Sequence, residues 1–221
     1  MDPSKTLVIA CATVIEEMQP LLPSGLQTQT LDFGLHVYPD RLRDSLQAAV
    51  DAVSGQYETI LLGYGLCSNA VVGLRATGCR LVIPRVDDCI AIFLGSRASY
   101  NLQCRAEPGT YYLTKGWIEA GDTPFSEYED HVQRFGEETA DYIFEQMMGH
   151  YTRLALINTG QYELEKYRAY TRGTAGRFGL RYEEIDGSDA LVRRLLFGPW
   201  GEDFVVLEAG ETFRLDQFVQ Q

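Results

Sequence analysis

The stretch Thr59-Ile60-Leu61-Leu62-Gly63-Tyr64-Gly65-Leu66-Cys67 decides the fold. Thr59 to Leu62 form a short β-branched and apolar run closed by glycine. Such a run reads as a strand buried on both faces, which is the signature of a parallel sheet covered by helices. Working outward, Leu7-Val8-Ile9-Ala10 and Arg80 to Ile83 repeat the pattern, as do Leu154 to Ile157, Leu180 to Ile185 and Phe204 to Leu207. Leu31 to Val37 is expected to be a further strand. The segment after it carries Leu42, Leu46, Ala49, Val50 and Val53 on one helical face, with Asp40 as cap and Gly55 as stop. Strands alternating with helices predict an α/β protein.

Laying the second half on the first matches Leu7 to Ala10 with Leu154 to Ile157, Leu31 to Val37 with Leu180 to Ile185, and Thr59 to Leu62 with Phe204 to Leu207, at a nearly constant offset. The expectation is two Rossmann-like βαβαβ lobes with mainly parallel sheets, residues 1–122 and 123–221. The second includes a helical connection over Ser126 to His150, opened by the capping box Ser126-Glu127-Tyr128-Glu129. Tyr142, Ile143, Phe144, Met147 and Met148 on that connection read as packing residues rather than a cofactor box.

With 221 residues, 45% of them hydrophobic, the chain is long enough to bury a sizeable core. A formal charge of −12 without any Lys/Arg-rich stretch leaves no footprint for a phosphate backbone, so nucleic acid is not an expected partner. Val8-Ile9-Ala10-Cys11 looks like a lipoprotein cleavage box, but too few apolar residues precede it, and it reads as a strand. No segment approaches the roughly 20 apolar residues of a spanning helix. A cytoplasmic protein without a membrane partner is expected, and the odd number of cysteines, five, favours free, catalytic or metal-binding thiols over a disulfide framework.

Three of these cysteines share one topological position. Cys11, Cys67 and Cys89 each follow a strand, which puts them at the carboxyl edge of the sheet, where α/β proteins place ligands. Adjacent strands about 4.8 Å apart could bring the three sulfurs together. Each also precedes a candidate helix start: Thr13 with Glu16, Ser68 or Asn69, and Asp87 or Asp88. Cys79 enters its strand from the opposite edge, and Cys104 falls in a helical stretch.

Ile9-Ala10-Cys11, Gly63-Tyr64-Gly65-Leu66-Cys67 and Asp87-Asp88-Cys89-Ile90 with Phe93-Leu94-Gly95-Ser96 resemble the motifs of the domain of unknown function family 1638. Ala12 stands where that family commonly has glycine. The resemblance covers most of the chain, and its specific part runs from Leu7 to about Trp117. It implies a bacterial or archaeal protein, often of anaerobes, with some relatives encoded near corrinoid-dependent methyl transfer.

Three thiolates with an open fourth position suit either a zinc ion or a [4Fe–4S] cluster. His36, His131 and His150 lie far in sequence from the motif cysteines, which argues against a His-rich zinc hydrolase. Tyr64, Arg85 and Asp88 are candidate catalytic groups. Asp88 reads as a fourth ligand or as a helix cap, and Arg85 as the ion-pair partner of Asp87 and Asp88 or as a fork for a substrate carboxylate. Asn69, Ser96, Trp117, Asn158, Thr159, Tyr162 and Glu208 are candidate substrate contacts, the second-lobe members as the far wall of a cleft.

The leading expectation is a metal-dependent transferase or lyase of one-carbon or small-molecule metabolism acting on a small-molecule substrate. The alternative is a non-catalytic protein that holds a metal, cluster or corrinoid-related ligand for a methyltransferase or corrinoid protein. A third reading needs no metal, with one cysteine as a nucleophile and another resolving it, but no CxxC or paired Cys/His signature supports it.

Overall fold

The computed structural model describes residues 2–121 and 123–219. It is a Rossmann-like α/β protein with two sheets. In chain order the elements are β1 (Thr6–Cys11), α1 (Ala12–Met18), β2 (Gln27–Leu31), α2 (Pro39–Ala52), β3 (Thr59–Gly63), β4 (Arg80–Pro84), α3 (Cys89–Phe93) and α4 (Arg97–Ala106). There follow β5 (Thr110–Leu113), α5 (Lys115–Ala120), α6 (Pro124–Phe135), α7 (Glu137–Met148), β6 (Arg153–Asn158), α8 (Glu165–Arg177), β7 (Arg181–Asp186), α9 (Ala190–Phe197) and β8 (Phe204–Leu207). They form two compact units, Met1–Tyr100 with Ser188–Gln221, and Asn101–Gly187.

The first unit holds a sheet in the order β2-β1-β3-β4-β8, the first four strands parallel and β8 antiparallel to β4. Every residue of β1 is buried, and β3 and β4 are buried beyond their first residues. Helices account for this: α1 packs on β1 and β2, and α9 on β3 and β4. The amphipathic reading of α2 holds, with Leu42, Leu46, Ala49 and Val50 buried, although Asp40 lies inside the first turn rather than at the cap.

The second unit carries the parallel sheet β5-β6-β7. Its core is aromatic: Phe125 meets Tyr111 edge-on at 5.2 Å and Phe178 stacks on Phe144 at 4.3 Å. Arg153, 3% exposed, is kept buried by Thr110 Oγ1 at 2.7 Å, Gln103 Oε1 at 3.0 Å and Glu183 at 3.1 Å. Buried guanidinium groups persist only when paired in this way.

Four expectations change. Leu31 to Val37 is not a strand: β2 ends at Leu31, and Asp32 accepts the Gly34 N–H at 2.9 Å to start a 3-10 turn over Phe33–Val37. The helical connection is two helices broken at Gly136, whose φ is +83°, and its capping box is made by Thr123 with Ser126. No helix follows Cys67. The βαβαβ duplication also fails at its third strand, because Phe204–Leu207 joins the first sheet antiparallel to β4 instead of completing the second. That return makes the first unit discontinuous in sequence, unlike a sequential division at 122/123, where Asp122 itself lies outside the described residues.

The β1–β3 contact depends on Gly63, paired with Ala10. A Cβ there would sit 2.5 Å from the Ala10 Cβ and 3.1 Å from both Met18 Cε and Val14 Cγ1. Gly63→Ala is therefore expected to destabilise the protein by roughly 1–3 kcal/mol in urea unfolding, the range for overpacking. Adding Ala10→Gly should restore part of the loss.

Candidate functional site

Strand order brings the three motif cysteines to one edge. Cys11 ends β1, Cys67 follows β3 and Cys89 opens α3 after β4, on three adjacent parallel strands. Cys11 is 1% exposed, Cys67 9% and Cys89 4%. All five cysteines are free, and Cys79 precedes β4 at the other edge while Cys104 lies in α4.

The loop after β3 lies directly on the loop after β4. Leu66 N–H donates to Val86 O at 2.8 Å and Cys67 N–H to Asp87 O at 2.9 Å. Gly65 permits the approach, since a Cβ there would come within 2.9 Å of the Asp88 backbone and of Val86 O. Cys67, Ser68 and Asn69 then take φ of 47°, 55° and 68° in succession. Left-handed backbone costs roughly 1–2 kcal/mol per L-residue, with asparagine the most tolerant of the three, so the turn stores strain.

The thiols are graded by environment. Burial pushes the Cys11 thiol up, while the Thr13 hydroxyl at 3.1 Å and the Thr13 and Val14 N–H groups favour its thiolate. Burial first, then the charges of Cys11 and Asp88, push Cys67 to about 12, opposed by the Gly65 N–H. Cys89 is raised well above the ordinary thiol range by burial, then by Cys11, Asp88 and Cys67. Tyr64 is raised by burial and by all three thiols. The three sulfurs and the phenol thus influence one another's ionisation, and each is raised by burial.

They do not form the expected metal centre. Among the described residues, no group of three or more His, Cys, Asp or Glu side chains is arranged to hold a metal ion. Cys11 and Cys67 instead take hydrogen-bond partners from their own loops, Thr13 and Gly65. The reading of the chain as a three-cysteine zinc or iron–sulfur protein, catalytic or carrier, is corrected accordingly.

Asp88 is a helix cap, accepting the Ile90 N–H at 2.9 Å and the Tyr100 hydroxyl at 3.4 Å. Desolvation raises its carboxyl, opposed by the Ile90 and Ala91 N–H groups. Arg85 does not pair with Asp87 or Asp88: it reaches the Phe204 carbonyl at 3.5 Å, and Asp87 pairs with Arg97 at 3.0 Å. Asn69 is exposed on the strained turn, and Ser96 bonds Ser99 at the start of α4.

Trp117, Asn158, Thr159 and Tyr162 all belong to the second unit. There the Tyr162 hydroxyl donates to Ile157 O at 2.7 Å, Asn158 Nδ2 to Glu184 at 3.3 Å, and Trp117 meets Tyr111 edge-on. Glu208 lies at the wrong edge for the cysteines. Because β8 is antiparallel, its carboxyl end sits beside Arg80 at the start of β4, where the two side chains pair at 2.8 Å.

Sequence reasoning missed His36. The 3-10 turn after β2 places it against Tyr64, rings stacked with centroids 6.1 Å apart. Its Nδ1 lies 2.9 Å from the Phe33 carbonyl, which can only accept, so Nδ1 carries a proton, and in the neutral ring Nε2 is then the acceptor. Among the described residues, buried Nε2 has no hydrogen-bond partner, and neither has the Tyr64 hydroxyl. The Asp32-Phe33-Gly34 turn signal was the available clue.

A family model described as "Protein of unknown function (DUF1638)" matches residues 30–196. The chain belongs to this family. Cys67 and Cys89 fall inside the matched region of the DUF1638 protein, as do Tyr64 and His36, whereas Cys11 precedes it. Comparison with curated proteins and comparison with solved structures each gave no match. Among the described residues no helix is long and apolar enough to cross a membrane.

The raised thiols set a pH dependence. A folded-state value above the ordinary 9.0 means the fold favours the neutral thiol, so this stabilisation is complete below pH 9 and declines toward about 12. The urea midpoint is expected to fall as pH rises above 9, and to fall less steeply in Cys67→Ala. Equal slopes would show that burial of this thiol is not coupled to folding.

Proposed function

We propose that the protein works as a buried dithiol that passes to a disulfide, with Cys11 as the attacking sulfur and Cys67 as the resolving one. The observation that carries this reading is geometric: Cys11, Cys67 and Cys89 lie buried at the carboxyl ends of three adjacent parallel strands, and Cys11 has the Thr13 hydroxyl at 3.1 Å. Burial raises all three thiols, and Thr13 favours the Cys11 thiolate against it. The thiol that ionises most readily is the nucleophile.

Cys67 is the resolving sulfur because its turn already stores backbone strain, so that moving it to Cys11 releases some of what it costs to leave the anchored position. In the reaction two thiols give up two protons and two electrons to a soft two-electron oxidant, a peroxide or a disulfide, and one S–S bond forms. Burial keeps the reduced pair slow toward indiscriminate reagents. Five free thiols fit a reducing compartment, and we assign the protein to the cytoplasm on that ground.

Oxidation of anaerobically purified protein with diamide tests this. Thiols titrated in denaturant should fall from five to three, with a peptide linking Cys11 to Cys67 and with Cys79 and Cys104 still free. Cys11→Ser should slow the oxidation by about tenfold or more, as expected for loss of the nucleophile. Five thiols remaining, a link through Cys79 or Cys104, or a stoichiometric metal that protects the sulfurs would overturn the reading.

A further inference from the structure

Among the described residues the Tyr64 hydroxyl and His36 Nε2 are both buried without a hydrogen-bond partner, on rings that stack on each other, and the pairing of Ala10 with Gly63 sets Tyr64 next to Cys11 across β1 and β3. Tyr64 is 1% exposed. Buried polar atoms are nearly always satisfied, and leaving one unmade costs about 1–3 kcal/mol, so two neighbouring exceptions point to a ligand that completes them. The hydrogen bond to Phe33 leaves Nε2 as an acceptor, while the phenol is free to donate. Their complement is a small molecule that offers a donor proton and an acceptor oxygen close together.

We infer that this pair binds a small uncharged hydroperoxide and presents it to Cys11. The inference rests on the thiol reading above and names its oxidant. A hydroperoxide carries its proton on one oxygen, for His36 Nε2, and a lone pair on the next, for the Tyr64 hydroxyl. Size and charge narrow the choice further. Cys11 at 1% exposed and Cys89 at 4% leave no opening for a large molecule. The groups that act electrostatically on Cys67 and Cys89 are thiols and Asp88, none of which attracts an anion.

The chemistry balances. Cys11 Sγ attacks one peroxide oxygen, the O–O bond breaks, and the leaving oxygen takes the proton given up by Cys11 and departs as water, its developing charge met by the Tyr64 hydroxyl. Cys11 is left as the sulfenic acid. Cys67 Sγ then attacks the Cys11 sulfur, its proton leaves with the hydroxyl as a second water, and the disulfide closes. Two thiols and one hydrogen peroxide give one disulfide and two waters.

The test compares two oxidants on the full-length chain, with thermal unfolding checked for each variant. Native protein should react with hydrogen peroxide at least tenfold faster than the urea-unfolded chain at the same pH. Tyr64→Phe and His36→Asn should each lose most of that advantage, and should slow the peroxide reaction far more than the diamide reaction. A native rate no faster than the unfolded chain overturns the inference, as do variants that keep the wild-type peroxide rate, in which case the pair holds water only. The two readings fail separately. Fast peroxide reaction that stops at a Cys11 sulfenic acid ends the dithiol assignment and leaves the peroxide site, whereas diamide linkage without peroxide selectivity does the reverse.

Discussion

Two backbone hydrogen bonds, Leu66 N–H to Val86 O and Cys67 N–H to Asp87 O, are the constraint on which the site depends. They lay the loop after β3 on the loop after β4, and they require that residue 65 have no Cβ. Once that contact is made, Cys67 has little choice of position. The chain must turn immediately to reach Ala70, whose N–H bonds back to Cys67 O at 3.0 Å, and it does so through three left-handed residues. The local strain is thus the consequence of a close approach between loops, and the sheet order β1-β3-β4 makes that approach unavoidable.

The same approach sets the electrostatics. Three thiols, a phenol and a carboxyl are gathered beyond the ends of β1, β3 and β4, strands that are almost wholly buried. Arg97 is engaged by Asp87 and the Phe218 carbonyl, and Arg85 is turned toward β8. With acidic groups crowded in a low-dielectric region, each opposes ionisation of the next. At Cys11 this is countered by Thr13 and the N–H groups that follow it, local compensation supplied by its own chain segment.

Much of this was legible in the sequence, for a physical reason. Fully buried parallel strands announce themselves as short apolar runs, and β1, β3, β4, β6 and β8 were found that way; residues just beyond such runs necessarily emerge at one edge, which located Cys11, Cys67 and Cys89. What failed was everything decided by pairing. The run Phe204-Val205-Val206-Leu207 looks the same in either direction, so its antiparallel place beside β4, and with it the position of Glu208, could not be read. The turn after Cys67 was read as a helix start because Ser68 and Asn69 are good caps. They serve a left-handed turn instead, which only the contact with Asp87 imposes. His36 was missed because its partner, Tyr64, is distant in sequence and belongs to a neighbouring loop.

Proximity of sulfurs is also a weaker statement than shared ligation, and the difference lies in direction. A metal centre needs lone pairs converging on one point with little freedom in ligand angle. Here the Cys11 and Cys67 sulfurs are drawn toward donors on their own loops, and Cys89 begins a helix whose buried residues, from Ile90 to Phe93, tie it to the core. What survives is mutual electrostatic influence, which falls off slowly with distance and does not require convergence. The division of labour between the sulfurs then rests on geometry. Cys11, the last residue of β1, sits beside the Thr13 hydroxyl that favours its thiolate, while Cys67 lies on the strained turn, where leaving its position gives back part of the backbone cost.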